Sequence, residues 1–152
     1  MIASVVACVS MFVAPVQGTI VVPYKQPACM YCAGHRGVVV AVRDGSPVRA
    51  ISDGKVTFAG EVAGVTYVVL GFAPTLRLTY GYLRDRRNDS DVLVETGDLV
   101  RRGQVLGHTA TRVYLGVRQG VEPRDPLRFL GARRARLVSP SAPKCARTGR
   151  SR

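Results

Sequence analysis

The stretch VVVAVRDGSPVRAISDGKVTFAG, Val38–Gly60, holds three apolar runs separated by two Asp-Gly dipeptides. Val38–Val42 is rich in β-branched residues and stops at Asp44-Gly45; Val48–Ile51 stops at Asp53-Gly54. Asp-Gly tolerates the positive φ angles of a tight reversal, so each pair reads as a turn between strands. Lys55–Gly60 then alternates polar and apolar residues with period two, as a strand with one wet and one buried face must.

The same grammar extends in both directions. Ile20–Val22 is a short strand ahead of Pro23, and Val65–Leu70 and Leu76–Tyr82 are two more, joined through Gly71-Phe72-Ala73-Pro74. Arg84–Asp91 is a charged loop. Val92–Val94 leads to Gly97-Asp98, Gln104–Gly107 follows Arg101-Arg102-Gly103, Val113–Val117 is the last core strand, and Asp125–Leu130 closes the body with a turn or a single helical turn. No window sustains a 3.6-residue period. With 16 glycines and 9 prolines scattered along the chain, the expectation is a compact, antiparallel, all-β core with little helix. A length of 152 residues, 47% of them hydrophobic, suffices for one such core and leaves little for a second.

The two ends differ from this body. Met1–Val16 is apolar and uncharged, too short for a comfortable membrane span and similar to the apolar region of a secretory signal. Of the formal net charge of +12, seven positive charges fall between Arg133 and Arg152, where there is no acid, so the body keeps only +5. A tail of that composition stays solvated, or anchors the chain to an anionic polymer or membrane. The expected division is a leader over 1–18, a β domain over 19–132 and a basic tail over 133–152. The chain is then exported, to the cell envelope or beyond, and no nucleic-acid partner is expected.

Cys29 and Cys32 leave three readings open: a small disulfide, a redox motif, or half of a zinc knuckle. The spacing Cys29, Cys32, His35 would also suit a closed structural metal site with His108 as fourth donor.

Four separated blocks, in order, resemble the lysostaphin/LytM-type zinc metallopeptidases. His35-Arg36-Gly37, Gly45-Ser46-Pro47-Val48-Arg49-Ala50 and Asp53-Gly54-Lys55-Val56 are similar to the family's H-x-G-x-D, G-x-P-V-x-A and D-G-x-V. Gly97-Asp98-Leu99-Val100 with Gly103-Gln104-Val105-Leu106-Gly107 matches G-D-x-V-x-x-G-Q-x-[IL]-G. Leu115–Gly120 and Asp125-Pro126-Leu127 are similar to the segment after its last histidine motif. The likeness runs from about Pro23 to Leu130. It implies a zinc held by the His and Asp of the first motif and by the second His of a later H-x-H, with a further His in a Y-x-H segment assisting.

Laid on this chain, that pattern keeps only His35. Val39 stands at the Asp position, Tyr82 replaces the assisting histidine in Tyr80-Gly81-Tyr82, and Arg112-Val113-Tyr114 replaces H-x-H, so that Tyr114 stands in place of the third ligand. His108 is either near this former site or a loop histidine outside it. An alkyl group cannot ligate, and a phenol with a pKa of about 10 is a poor zinc ligand at neutral pH. No cofactor is therefore expected, zinc being the alternative if unusual ligands make an active metalloendopeptidase. What the pattern leaves is a groove edged by His35, Tyr82, Arg112 and Tyr114, suited to binding peptides or sugars without chemistry. The implied role is a silent domain that binds peptidoglycan or regulates a cell-wall hydrolase, its basic tail meeting anionic wall polymers. A biotinyl/lipoyl-type carrier is disfavoured, because the body's lysines, Lys25 and Lys55, do not stand in a carrier hairpin.

Limited proteolysis is expected to trim both ends and leave a core near Val21 to Leu130. A tail that resists trypsin despite its arginines is docked on the body, and the anchor idea then fails.

Overall fold

The computed structural model describes residues 15–86, 89–90 and 92–129, so the apolar leader up to Ala14 and the basic tail lie outside the described residues. Eleven strands and one 3₁₀ turn follow in order: β1 Thr19–Val22, β2 Gly37–Ala41, β3 Pro47–Arg49, β4 Gly54–Val62, β5 Val65–Ala73, β6 Leu76–Leu83, β7 Asp85–Arg86, β8 Asp89–Ser90, β9 Leu99–Val100, β10 Val105–Gln119, β11 Glu122–Arg124 and the turn Pro126–Arg128. Every strand pairing is antiparallel. The main sheet runs β1-β2-β10-β6-β5-β4-β9, with β3 and β11 also paired to β10.

Local chemistry accounts for the reversals. Val62 pairs with Val65, so Ala63-Gly64 is a two-residue hairpin loop. Both residues have positive φ, 52° and 78°, the conformation that matches the right-handed twist of the flanking strands. Pro74-Thr75 makes the next reversal, since Ala73 pairs with Leu76. Asp125 caps the final 3₁₀ turn, its Oδ1 accepting the Leu127 N–H at 3.0 Å.

The expected all-β class holds, and several elements differ in detail. Gln104–Gly107 and Val113–Val117 are not two strands but the two ends of one fifteen-residue strand, β10, because a bulge between them bends the chain without breaking the pairing. Gly71–Ala73 continues β5 and is no linker. Val92 forms an isolated bridge with Gly107 rather than a strand, and the charged loop after Arg84 contains the short β7–β8 pair. At the front, Pro15 is buried and its carbonyl accepts the Arg49 N–H at 2.8 Å.

Alternation places one face of the sheet inside. Val38 and Val40 of β2, Val68 and Leu70 of β5, Leu78 and Tyr80 of β6, and Val113, Leu115 and Val117 of β10 form one cluster. Val48, Ala50, Ile51, Val94, Val100 and Leu106 join it. Tyr80 is the largest wholly buried side chain, at 1% exposure, and its Oη accepts the Ile51 N–H at 3.1 Å. Burial pushes its phenol pKa up.

Tyr80→Phe leaves the Ile51 N–H without an acceptor and is expected to cost about 1–3 kcal/mol at neutral pH, read as a lower urea midpoint. A phenol raised in the folded state costs nothing below the unfolded value near 10, and destabilises as pH rises above it. The wild-type chain should therefore lose stability above about pH 10 more steeply than the phenylalanine variant.

Candidate functional site

The other face of the sheet carries the residues singled out by the motifs, and the β10 bulge sets their positions. Thr109 pairs with Leu83 and Tyr114 with Gly81, so residues 110–113 of β10 stand against Tyr82 alone. On its other side β10 keeps regular register with β2, from Arg112 opposite Ala41 to Gly116 opposite Gly37. The mismatch is absorbed at Tyr82, whose φ is 62°, a left-handed value unfavourable for a side chain of this size. Thr109, fully buried, holds the distortion: its Oγ1 lies 2.9 Å from the Tyr82 carbonyl and 2.5 Å from that of Arg112. The Arg112 guanidinium then sits 4.6 Å from the centre of the Tyr82 ring, in cation–π geometry.

Tyr114 lies between Val39 on one neighbouring strand and Gly81 on the other. Its ring occupies a slot that two glycines, Gly37 and Gly116, keep open. A Cβ on Gly37 would stand 2.6 Å from the ring and 2.4 Å from the Leu115 carbonyl; one on Gly116 would stand 2.9 Å from the phenol oxygen. At Gly81 a Cβ would meet the Tyr67 ring at 2.6 Å and the Tyr114 Cβ at 3.3 Å. Burial pushes the Tyr114 pKa up, partly countered by Arg118 and Arg36 nearby. The phenol is therefore neutral at physiological pH.

His35 meets Tyr114 edge-on, with centroids 5.9 Å apart and planes at 90°. Its backbone forms a two-bond bridge with Lys25, at 2.9 and 3.0 Å, and its Nδ1 lies 3.2 Å from the Pro23 carbonyl. A carbonyl only accepts, so Nδ1 carries the proton in that bond. His35, Tyr82, Arg112 and Tyr114 are thus gathered around one patch of the sheet.

The donor set at this patch does not fit a tetrahedral zinc. It offers one imidazole, one phenol held neutral and the alkyl group of Val39. Among the described residues no three His, Cys, Asp or Glu side chains gather around one centre. Cys29 and Cys32 are joined in a disulfide with Cα atoms 4.9 Å apart, so of the open readings the disulfide is the one adopted, and neither sulfur is a free thiolate. His108 is no loop residue: it lies within β10 opposite Pro47, its carbonyl accepting the Arg84 N–H at 2.9 Å. Among the described residues no hydrogen bond or ring contact joins it to His35, Tyr82 or Tyr114.

Sequence reasoning missed Tyr67 and Thr109. Tyr67 lies in the expected strand Val65–Leu70, but only the register of β5, β6 and β10 brings its ring beside Gly81 and Tyr114. Thr109 gave no signal beyond being polar within an apolar stretch.

Thr109→Val removes the one hydroxyl proton within reach of the Tyr82 and Arg112 carbonyls. It should cost about 1–3 kcal/mol in denaturant unfolding, whereas Thr109→Ser, which keeps the hydroxyl, should cost less.

Known proteins share this fold. A structure of Csd3 from Helicobacter pylori superposes with a TM-score of 0.66 at 27% identity, over 79% of this chain and 33% of that one. The catalytic domain of lysostaphin from Staphylococcus simulans does so at 0.61 and 24%, over 74% of this chain and 92% of that domain. An uncharacterized lipoprotein of Escherichia coli strain K12, YgeR, is 24% identical over 123 residues, 76% of this chain and 45% of the relative. The chain thus spans less than half the length of that curated relative. The model of peptidase family M23 matches residues 33–126, from the loop before His35 to the start of the closing 3₁₀ turn. That span covers most of the described body, and the chain belongs to peptidase family M23.

Proposed function

We propose that this domain is an exported, catalytically silent member of family M23 that binds cell-wall peptidoglycan, or regulates a wall hydrolase, through His35, Tyr82, Arg112 and Tyr114. The observation that carries the reading is the pairing of Val39 with Tyr114 across the β2–β10 ladder. Two of the three positions where the resemblance expects zinc donors are filled by side chains that face each other and cannot supply two anionic or imidazole ligands. Metal affinity falls steeply with each donor lost. What remains can stack on sugar rings and hydrogen-bond to peptide groups: a guanidinium over Tyr82, and an imidazole against Tyr114.

The division into leader 1–18, domain 19–132 and basic tail 133–152 belongs to the same proposal, the tail lying against anionic wall polymers. Export is supported by the lipoprotein name of the E. coli relative and by the apolar leader.

Metal content and wall binding test the proposal together. Purified protein should hold far less than one equivalent of zinc and leave peptidoglycan cross-bridges intact, yet sediment with purified sacculi. Tyr82→Ala combined with Arg112→Ala should weaken that sedimentation while the thermal midpoint stays close to the parent's. Val39→Asp with Tyr114→His should raise zinc affinity by orders of magnitude, because the backbone already presents the site. One equivalent of zinc in the unmodified protein, lost on His35→Ala, would overturn the silent reading in favour of an enzyme with unusual ligands. Failure to sediment with sacculi would end the wall-binding arm.

A further inference from the structure

Beside the Tyr114 slot lies a second feature that the zinc pattern does not touch. A cavity of about 520 Å³ opens between the loop closed by Cys29–Cys32 and the β10–β11 hairpin. Arg36 and Arg118 line it, together with Met30 and Val121. Met30 is 60% and Val121 71% exposed, so the mouth of the cavity is apolar as well as cationic.

The charges in this cavity are poorly matched within the chain. Arg118 stands directly opposite Arg77 in the β10–β6 ladder, an arrangement of like charges that destabilises a sheet unless an anion intervenes. Among the described residues neither Arg36, Arg77 nor Arg118 has an acidic partner. Glu122, which also lines the cavity, is paired with Arg124 at 2.9 Å. Arg36 is held in place in advance: its Nη2 donates to the Met30 carbonyl at 2.5 Å and the Cys32 carbonyl at 3.4 Å, both inside the disulfide-closed loop. Its other N–H groups have no such commitment. A guanidinium fixed by the fold loses little freedom when it meets a carboxylate, which favours binding.

We propose that this cavity is a carboxylate site that takes the C-terminal end of a peptide, with Arg36 and Arg118 holding the carboxylate and Met30 and Val121 receiving an apolar last side chain. Two guanidiniums match a single planar carboxylate, and the apolar mouth gives the adjoining side chain somewhere to go. A polyphosphate fits less well, since Glu122 would face its excess charge. The site lies next to the groove, because Arg36 and Arg118 are the two cations acting on Tyr114. The choice of a peptide over other carboxylates rests on the wall-binding reading above; the anion site itself does not.

The test uses the full chain and acetyl-Ala-Ala-Leu, supplied as the free acid and as the C-terminal amide, in a calorimetric titration. The acid should bind roughly tenfold more tightly than the amide, and its advantage should shrink at high salt. Arg118→Gln should abolish the preference, and so should Val121→Asp, which places a negative charge at the exposed mouth. Circular dichroism should show both variants folded as the parent. Equal binding of acid and amide, or a preference that survives Arg118→Gln, overturns the site. Competition by acetate as effective as by the peptide acid overturns its assignment to peptides. If sacculus binding persists while acid and amide bind alike, only this site fails. If the acid preference persists while sacculus binding is lost, the wall-binding reading fails and the carboxylate site stands.

Discussion

One strand, β10, has to serve two ladders whose directions differ, and nearly everything on the functional face follows from how it bends. Its first residues pair with β3, its later ones with β2 on one side and β6 on the other, and its last with β11. A straight strand could not do this. The bend falls between Thr109 and Tyr114, and the buried Thr109 hydroxyl lies within hydrogen-bond reach of the Tyr82 and Arg112 carbonyls on its two sides. The cost appears at Tyr82, driven to positive φ, and that conformation carries its ring under the Arg112 guanidinium. Strain, bulge and cation–π contact are parts of one distortion.

The chemistry of the site is then decided by what fills the ladder position after the bulge. Tyr114 is accommodated only because Gly37 and Gly116 present no side chains where its ring lies. A phenol in that slot is half-buried and pushed toward its neutral form, so it offers an O–H and a π face in place of an anionic donor. Val39 across the ladder adds bulk without any lone pair. The same backbone that would position metal ligands instead positions an aromatic surface, which is why fold and family are strong evidence here about geometry and weak evidence about reaction.

The legible part of this architecture was the local part. Asp44-Gly45 marked a reversal from its own chemistry, with Gly45 at positive φ, and Asp53-Gly54 marked the start of β4. Alternation in Lys55–Gly60 placed Val56 inside but not Phe58, which a register shift after Val56 leaves exposed. Position-by-position comparison with the motifs picked out His35, Val39, Tyr82, Arg112 and Tyr114, which the structure gathers at one patch. What stayed hidden depends on partners far along the chain. The unity of β10 was obscured because a bulge rich in polar residues, Thr109, Thr111 and Arg112, reads locally like a turn. Ala63 at φ 52° gave no signal, since alanine rarely adopts that conformation. The proximity of Tyr67 to Tyr114, and of Arg118 to Arg77, is a matter of register, which composition and spacing do not encode. The Cys29–Cys32 spacing was compatible with a disulfide, a redox motif or a metal half-site; the bond between the two sulfurs, with Cα atoms 4.9 Å apart, removes the metal half-site.

The edges of the main sheet bear on how such a domain recognises anything. An open edge invites a partner to add a strand, and proteins blunt it with short strands, prolines and bulges. At one end stands β1, only four residues long, with a register irregularity between Ile20 and Val22 and Pro23 directly after it. At the other stands β9, two residues long. Neither offers the run of regularly spaced N–H and C=O groups that strand addition needs, even though Ile20 and Val21 are exposed. Binding by backbone pairing is therefore weak on both flanks. The open face, where Tyr82 meets Arg112 and His35 meets Tyr114, presents rings, hydrogen-bonding groups and charge in place of an extended main chain, which is the chemistry the proposed binding role draws on.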